Sequence, residues 1–155
     1  MFDVLRKSGG IDAIARQAGV GVTTAAEAAR ALLPDLLTTY RRRADDPGSL
    51  FRLLERHGDG HLASAVMAAE QANPDPGEAL LLDLTGSAAG ASKLSAAAAA
   101  EAGLDVGQTA RLLPLLAMLV GGYVAARGAG GRPSSAELAD MLTYREAEPP
   151  GNRGR

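Results

Sequence analysis

Arg111-Leu112-Leu113-Pro114-Leu115-Leu116-Ala117-Met118-Leu119-Val120-Gly121-Gly122-Tyr123-Val124-Ala125-Ala126-Arg127 is the longest apolar run in the chain, and an arginine closes each end. A helix that is apolar all round either sits inside a protein core or crosses a membrane. Only 15 residues, 112–126, lie between the two arginines, whereas a spanning helix needs about 20. The run is therefore expected to be the central buried helix of a small all-α domain, and a membrane role is not favoured.

The rest of the chain suits such a helix. With 155 residues it is long enough for one domain with a real core. Aromatics make up 3% and Trp is absent, so Leu, Ala, Val and Ile must build that core. Small side chains favour close helix-on-helix packing, and no period-two run of strand formers is present. The net charge of −2, from 16 basic and 18 acidic residues, gives no general pull toward nucleic acid or anionic lipid. The chain contains no Cys, which excludes disulfides, thiolate chemistry and Cys-ligated zinc. Met1-Phe2-Asp3-Val4-Leu5-Arg6-Lys7 runs into Ser8-Gly9-Gly10 without the apolar core of a secretory signal. A cytoplasmic location is expected.

Working outward, residues 11–18 read as a short helix stopped by Gly19, with Ile11, Ile14, Ala15 and Ala18 on one face. Thr24-Ala25-Ala26-Glu27 has the form of a capping box, opening a helix with a kink or break expected near Leu33, because Pro34 removes a backbone donor. Arg41-Arg42-Arg43 ends it, where cations complement the helix dipole. Asp46-Pro47 starts the next helix, which Gly58 stops. A weaker helix is expected over 59–72, broken by Asn73-Pro74, and Asp75-Pro76-Gly77-Glu78 starts another that Gly86 closes. The Ala-rich 95–103 is an ordered helix, since Ala is the best helix former, and Asp105 and Gln108 cap the central helix. Ser134-Ser135-Ala136-Glu137 is a further capping box. The domain organisation expected is a core over 9–127, a linker and short C-terminal helix over 128–144, and a disordered tail over 145–155.

The chain also echoes itself. Ala18-Gly19 followed by a helix reaching Leu32-Leu33-Pro34 matches Ala102-Gly103 followed by a helix reaching Leu112-Leu113-Pro114. The first copy is longer by about one helical turn, ~3.6 residues, which keeps the same face pointing the same way. Two related helix-turn-helix units are expected, each with a proline-kinked second helix.

Three segments together resemble the YidB-like bacterial family, a domain of unknown function (DUF937). They are Gly10-Ile11-Asp12-Ala13-Ile14-Ala15 with Leu32-Leu33-Pro34-Asp35-Leu36-Leu37, then Gly77-Glu78-Ala79-Leu80-Leu81-Leu82-Asp83-Leu84-Thr85-Gly86, then Ala102-Gly103-Leu104 with residues 112–123. The Leu-Leu-Pro-Leu-Leu-Ala segment with its trailing Gly and Tyr is the most specific part. The resemblance covers residues 9–127. It implies a compact, multi-helix orthogonal bundle of homeodomain-like form, and no reaction. The chain departs from the family where residues 60–72 replace its Gly-rich stretch, and after Gly128.

Chemistry-bearing groups are few. His57-Gly58-Asp59-Gly60-His61 could face one metal ion only on a continuous helix, which its glycines interrupt; a helix stop and a turn account for the same residues. No phosphate loop and no base–nucleophile pairing is legible. No cofactor, no metal and no enzymatic activity are expected. Arg41, Arg42, Arg43, Arg52 and Arg56 are the candidate patch for a nucleic acid or an acidic partner. A solvated face paired with Asp45, Asp46 and Glu55 is preferred for them. Residues 11–32 can be laid over a helix-turn-helix, but the second helix would open with Thr23-Thr24-Ala25-Ala26-Glu27-Ala28, which offers no base-reading side chain. The expected function is therefore a non-enzymatic module that binds another protein or itself. A helix-turn-helix nucleic-acid binder is the alternative, and a membrane-associated envelope protein the third.

Overall fold

The apolar run folds as the middle of one long helix, and the other elements are laid around it. The structure is a computed structural model describing residues 1–68, 70–128, 131 and 133–144. Its helices are α1 (Phe2–Lys7), α2 (Gly10–Ala18), α3 (Val22–Ala44), α4 (Pro47–His57), α5 (His61–Met67), α6 (Asp75–Thr85), α7 (Ala88–Ala102), α8 (Val106–Gly128) and α9 (Ser135–Met141). Among the described residues there is no strand. The protein is all-α.

Residues 112–122 of α8 are buried without exception, and α2, α3, α4, α5, α6 and α7 all pack on that helix. It is long and apolar enough to cross a membrane by length and composition, yet 78% of its most apolar window is covered by the protein itself. Close approach depends on two glycines. A Cβ on Gly122 would lie 2.6 Å from the Ala63 backbone nitrogen, and one on Gly77 would lie 2.8 Å from the Pro114 carbonyl carbon. Absence of a side chain thus lets α5 and α6 reach the α8 backbone. The fully buried Tyr40 of α3 donates its hydroxyl to Ala117 O at 2.8 Å. Burial pushes that phenol well above its ordinary pKa.

Local signals held at many ends. Gly19, Gly86 and Gly103 close their helices in the left-handed conformation. Asp46 accepts from Ser49 N with Pro47 behind it, Asp105 accepts from Gln108 N, and Ser134 with Glu137 forms both halves of a capping box.

Other signals were overridden. Thr24 is no cap: α3 begins at Val22, with Gly21 extended before it and no side-chain cap. The tight turn at Gly19 brings the chain into helical register three residues before the Thr-Glu motif would. α3 passes Pro34 and α8 passes Pro114 without a break, because each proline removes a single backbone donor while the leucines on both sides of it are buried in the core. Asp75 is no cap either. It stands inside α6, and Asn73 Oδ1 takes its backbone N–H. Met1, Phe2 and Leu5 before the expected core, and Leu138 and Leu142 after it, are buried in the same apolar cluster. Residues 145–155, read as a tail, lie outside the described residues.

The helix expected over 59–72 stops at Met67, and a buried side chain explains why. Gln17 of α2 donates to the carbonyls of Val66, Ala68 and Glu70 and accepts from Ala72 N at 2.8 Å. Arg16 donates to Ala68 O at 2.9 Å. These bonds satisfy an irregular backbone that helix geometry would otherwise have to satisfy.

Candidate functional site

The five arginines lie on two helices and do not act as one group. Arg41 and Arg43 turn inward from the last turn of α3. Arg41 donates to Leu142 O at 2.9 Å and to Thr38 Oγ1 at 3.0 Å, which ties α3 to the end of α9. Arg43 donates to the Asp83 carbonyl. On α4, Arg56 reaches Asp83 Oδ2 at 3.1 Å. Arg42 and Arg52 are exposed. The ion pairs were expected at Asp45, Asp46 and Glu55; among the described residues Arg56 instead pairs with Asp83, on α6.

Asp83 is the joint of α3, α4 and α6. His57 Nε2 lies 2.6 Å from its Oδ2. The His57 hydrogen bond, followed by the charges of His57, Arg56 and Arg43, holds its carboxyl below the ordinary value against the opposing effect of burial. The signal in the sequence was one acid inside Leu80-Leu81-Leu82-Asp83-Leu84, a placement that calls for a cationic partner. His61 begins α5 and is exposed. The turn between the two histidines carries Gly58 at φ 128° and Asp59 at φ 53°. Among the described residues no cluster of three His, Cys, Asp or Glu side chains is placed to hold a metal.

The arrangement that sequence reasoning missed is a groove. α6, α7 and α8 enclose about 470 Å³ between them, with Leu81, Ala91, Leu113 and Pro114 in its lining and Asp75 and Glu78 beside them. Leu82 also lines it and is 50% exposed, although Leu80, Leu81 and Leu84 of the same helix are buried. Those three define the inward face of α6, and Leu82 points about 100° away from Leu81 on the helix. A second hollow of about 450 Å³ is lined by Ala72, Pro74, Gln17, Ala18 and Arg111. Glu78, Ala110 and Pro114 line both parts. A fourth leucine, outside the buried stripe, was the available signal.

The described residues thus form an all-helical domain with an open, largely apolar groove between α6, α7 and α8. A family model described as bacterial protein of unknown function, DUF937, matches residues 5–127, and the chain belongs to that family. The YidB-like resemblance read from the motifs agrees with it. No curated protein and no solved structure matches the chain.

Proposed function

We propose that this protein is a non-enzymatic module that docks another protein chain, or a second copy of itself, in the groove between α6, α7 and α8. The observation that carries the reading is Leu82, a half-exposed leucine on the wall of an apolar trough. Apolar area left open beside a concave floor is the usual mark of a docking surface. A cytoplasmic location, expected from the Cys-free sequence, belongs to the same proposal.

The competing reading is a helix-turn-helix nucleic-acid binder. Two observations favour it: α2 and α3 meet at a left-handed glycine as α7 and α8 do, and the exposed Arg42 and Arg52 are available to phosphates. The homeodomain-like form of the bundle is part of that reading. Against it, α3 opens with Val22, Thr23 and Thr24, and Arg30 stacks on the Phe2 ring with 5.0 Å to its centroid.

A photocrosslinkable phenylalanine analogue in place of Leu82, compared with one in place of Arg52, tests the proposal in living cells. A discrete protein adduct from position 82 and none from 52 is expected. No adduct from 82, together with duplex DNA retarding the purified protein at low salt and releasing it at high salt, overturns the proposal in favour of the competitor.

A further inference from the structure

We propose that the groove takes an apolar segment of another chain carrying a cationic side chain opposite Glu78. The inference rests on the docking reading above and specifies its partner.

The shape argues for a chain segment. The two hollows lie side by side, with Glu78, Ala110 and Pro114 in the lining of both. Small ligands are usually enclosed on most sides, whereas peptides lie in open grooves and anchor through successive side chains. The floor supplies apolar contact through Leu81, Leu113 and Pro114, and Leu82 adds an exposed wall.

Charge decides the partner's chemistry. Asp75 and Glu78 are exposed on the first turn of α6, three residues apart. Like charges at that spacing repel across one helix face, and neither carboxylate has a hydrogen bond or ion pair with another described side chain. The positive end of the α6 dipole steadies both but leaves their outer oxygens to water. A purely apolar partner would strip that water without replacement, and an acidic one would add repulsion. A Lys or Arg meets both carboxylates. Arg111 lines the second hollow together with Glu78, so the part of the partner lying there must be neutral or acidic, and its cation belongs on the side of the first hollow, where Asp75 and Glu78 stand together.

The test is a fluorescence-anisotropy titration of the full chain with two labelled model peptides. Both are amphipathic leucine helices of about 14 residues, roughly four turns, with lysine on the polar face of one and glutamate on the other. Four proteins are compared: wild type, Asp75→Asn/Glu78→Gln, Ala110→Phe to fill the shared middle, and Glu27→Gln/Glu101→Gln as a charge-matched control away from the groove. Thermal melts establish that each is folded. Wild type and the control are expected to prefer the lysine peptide by about fivefold or more, the worth of two exposed ion pairs. Asp75→Asn/Glu78→Gln should lose the preference, and Ala110→Phe should lose binding of both peptides. Equal binding of both peptides by wild type, abolished by Ala110→Phe, overturns the cationic partner and leaves the docking groove standing. Binding that Ala110→Phe does not weaken, or no binding, overturns the inference and the groove's docking role together.

Discussion

α2 meets α3 at Gly19 with φ 69° and ψ 34°, and α7 meets α8 at Gly103 with φ 67° and ψ 33°. Each turn is closed by the same reverse bond, Val20 N to Ala15 O and Leu104 N to Ala99 O, the signature of a Schellman stop. Each leads into a helix of 23 residues that contains a proline. Beyond those prolines the two helices part company. Eight residues after Pro34 comes Arg42, exposed; eight residues after Pro114 comes Gly122, pressed against Ala63. One backbone plan therefore yields an amphipathic flank and an axis enclosed over residues 112–122. Local sequence sets the turn, and the side chains on the far face of the second helix set how many neighbours that helix can accept.

The largest test of this difference places leucine at both positions. Gly122→Leu is expected to cost more than about 3 kcal/mol, because backbone of α5 occupies the space. Arg42→Leu should change stability by less than about 0.5 kcal/mol, as exposed substitutions do. Urea unfolding of both variants gives the two values, and similar costs would break the contrast.

The prolines come next. Pro34→Ala is expected to stabilise by about 1–2 kcal/mol, since it restores a helix bond on an exposed face and loses some chain restriction in the unfolded state. Pro114→Ala restores the same bond but removes buried contacts beside Gly77, so its gain should be near zero. Thermal melts of the pair separate the outcomes. The stops are the control. Gly19→Ala and Gly103→Ala should each cost about 1 kcal/mol, equal within error, because both residues hold the same left-handed geometry with open space around them. Unequal losses in denaturant titrations would mean that the two turns are not copies.

The smallest effect concerns the arginine end of α3. Asp83 has a folded pKa below its ordinary value, so its contribution is present above the unfolded pKa and lost as pH falls through the folded one. With its side chain 34% exposed, that contribution is below about 1 kcal/mol. Asp83→Asn should flatten the acid-side fall in stability between about pH 5 and pH 2, as urea midpoints along that range would record.

Most helix stops were legible because each is decided within one turn: a glycine free to take positive φ, or a side-chain oxygen over an open N–H. Pro34 and the end of α5 were not legible. Whether a proline breaks a helix depends on how firmly the residues around it are packed, and the backbone at Ala68, Glu70 and Ala72 is held outside helix geometry by Gln17, some fifty residues earlier. Of the site, the arginines were visible as letters, but the meeting of Arg43 and Arg56 at Asp83 and the groove beside Leu82 depend on the packing of α3, α4, α6, α7 and α8.

The sequence by itself determined that this chain is helical, which family it belongs to, and that residues 112–126 belong to its central helix, because an unbroken apolar helix has no stable place in water except inside. Only the tertiary structure decided which acid the arginines meet and which leucine of α6 stays exposed. Those outcomes depend on distances between elements far apart in the chain, and a periodic pattern along one helix names its buried face without naming what will lie against it.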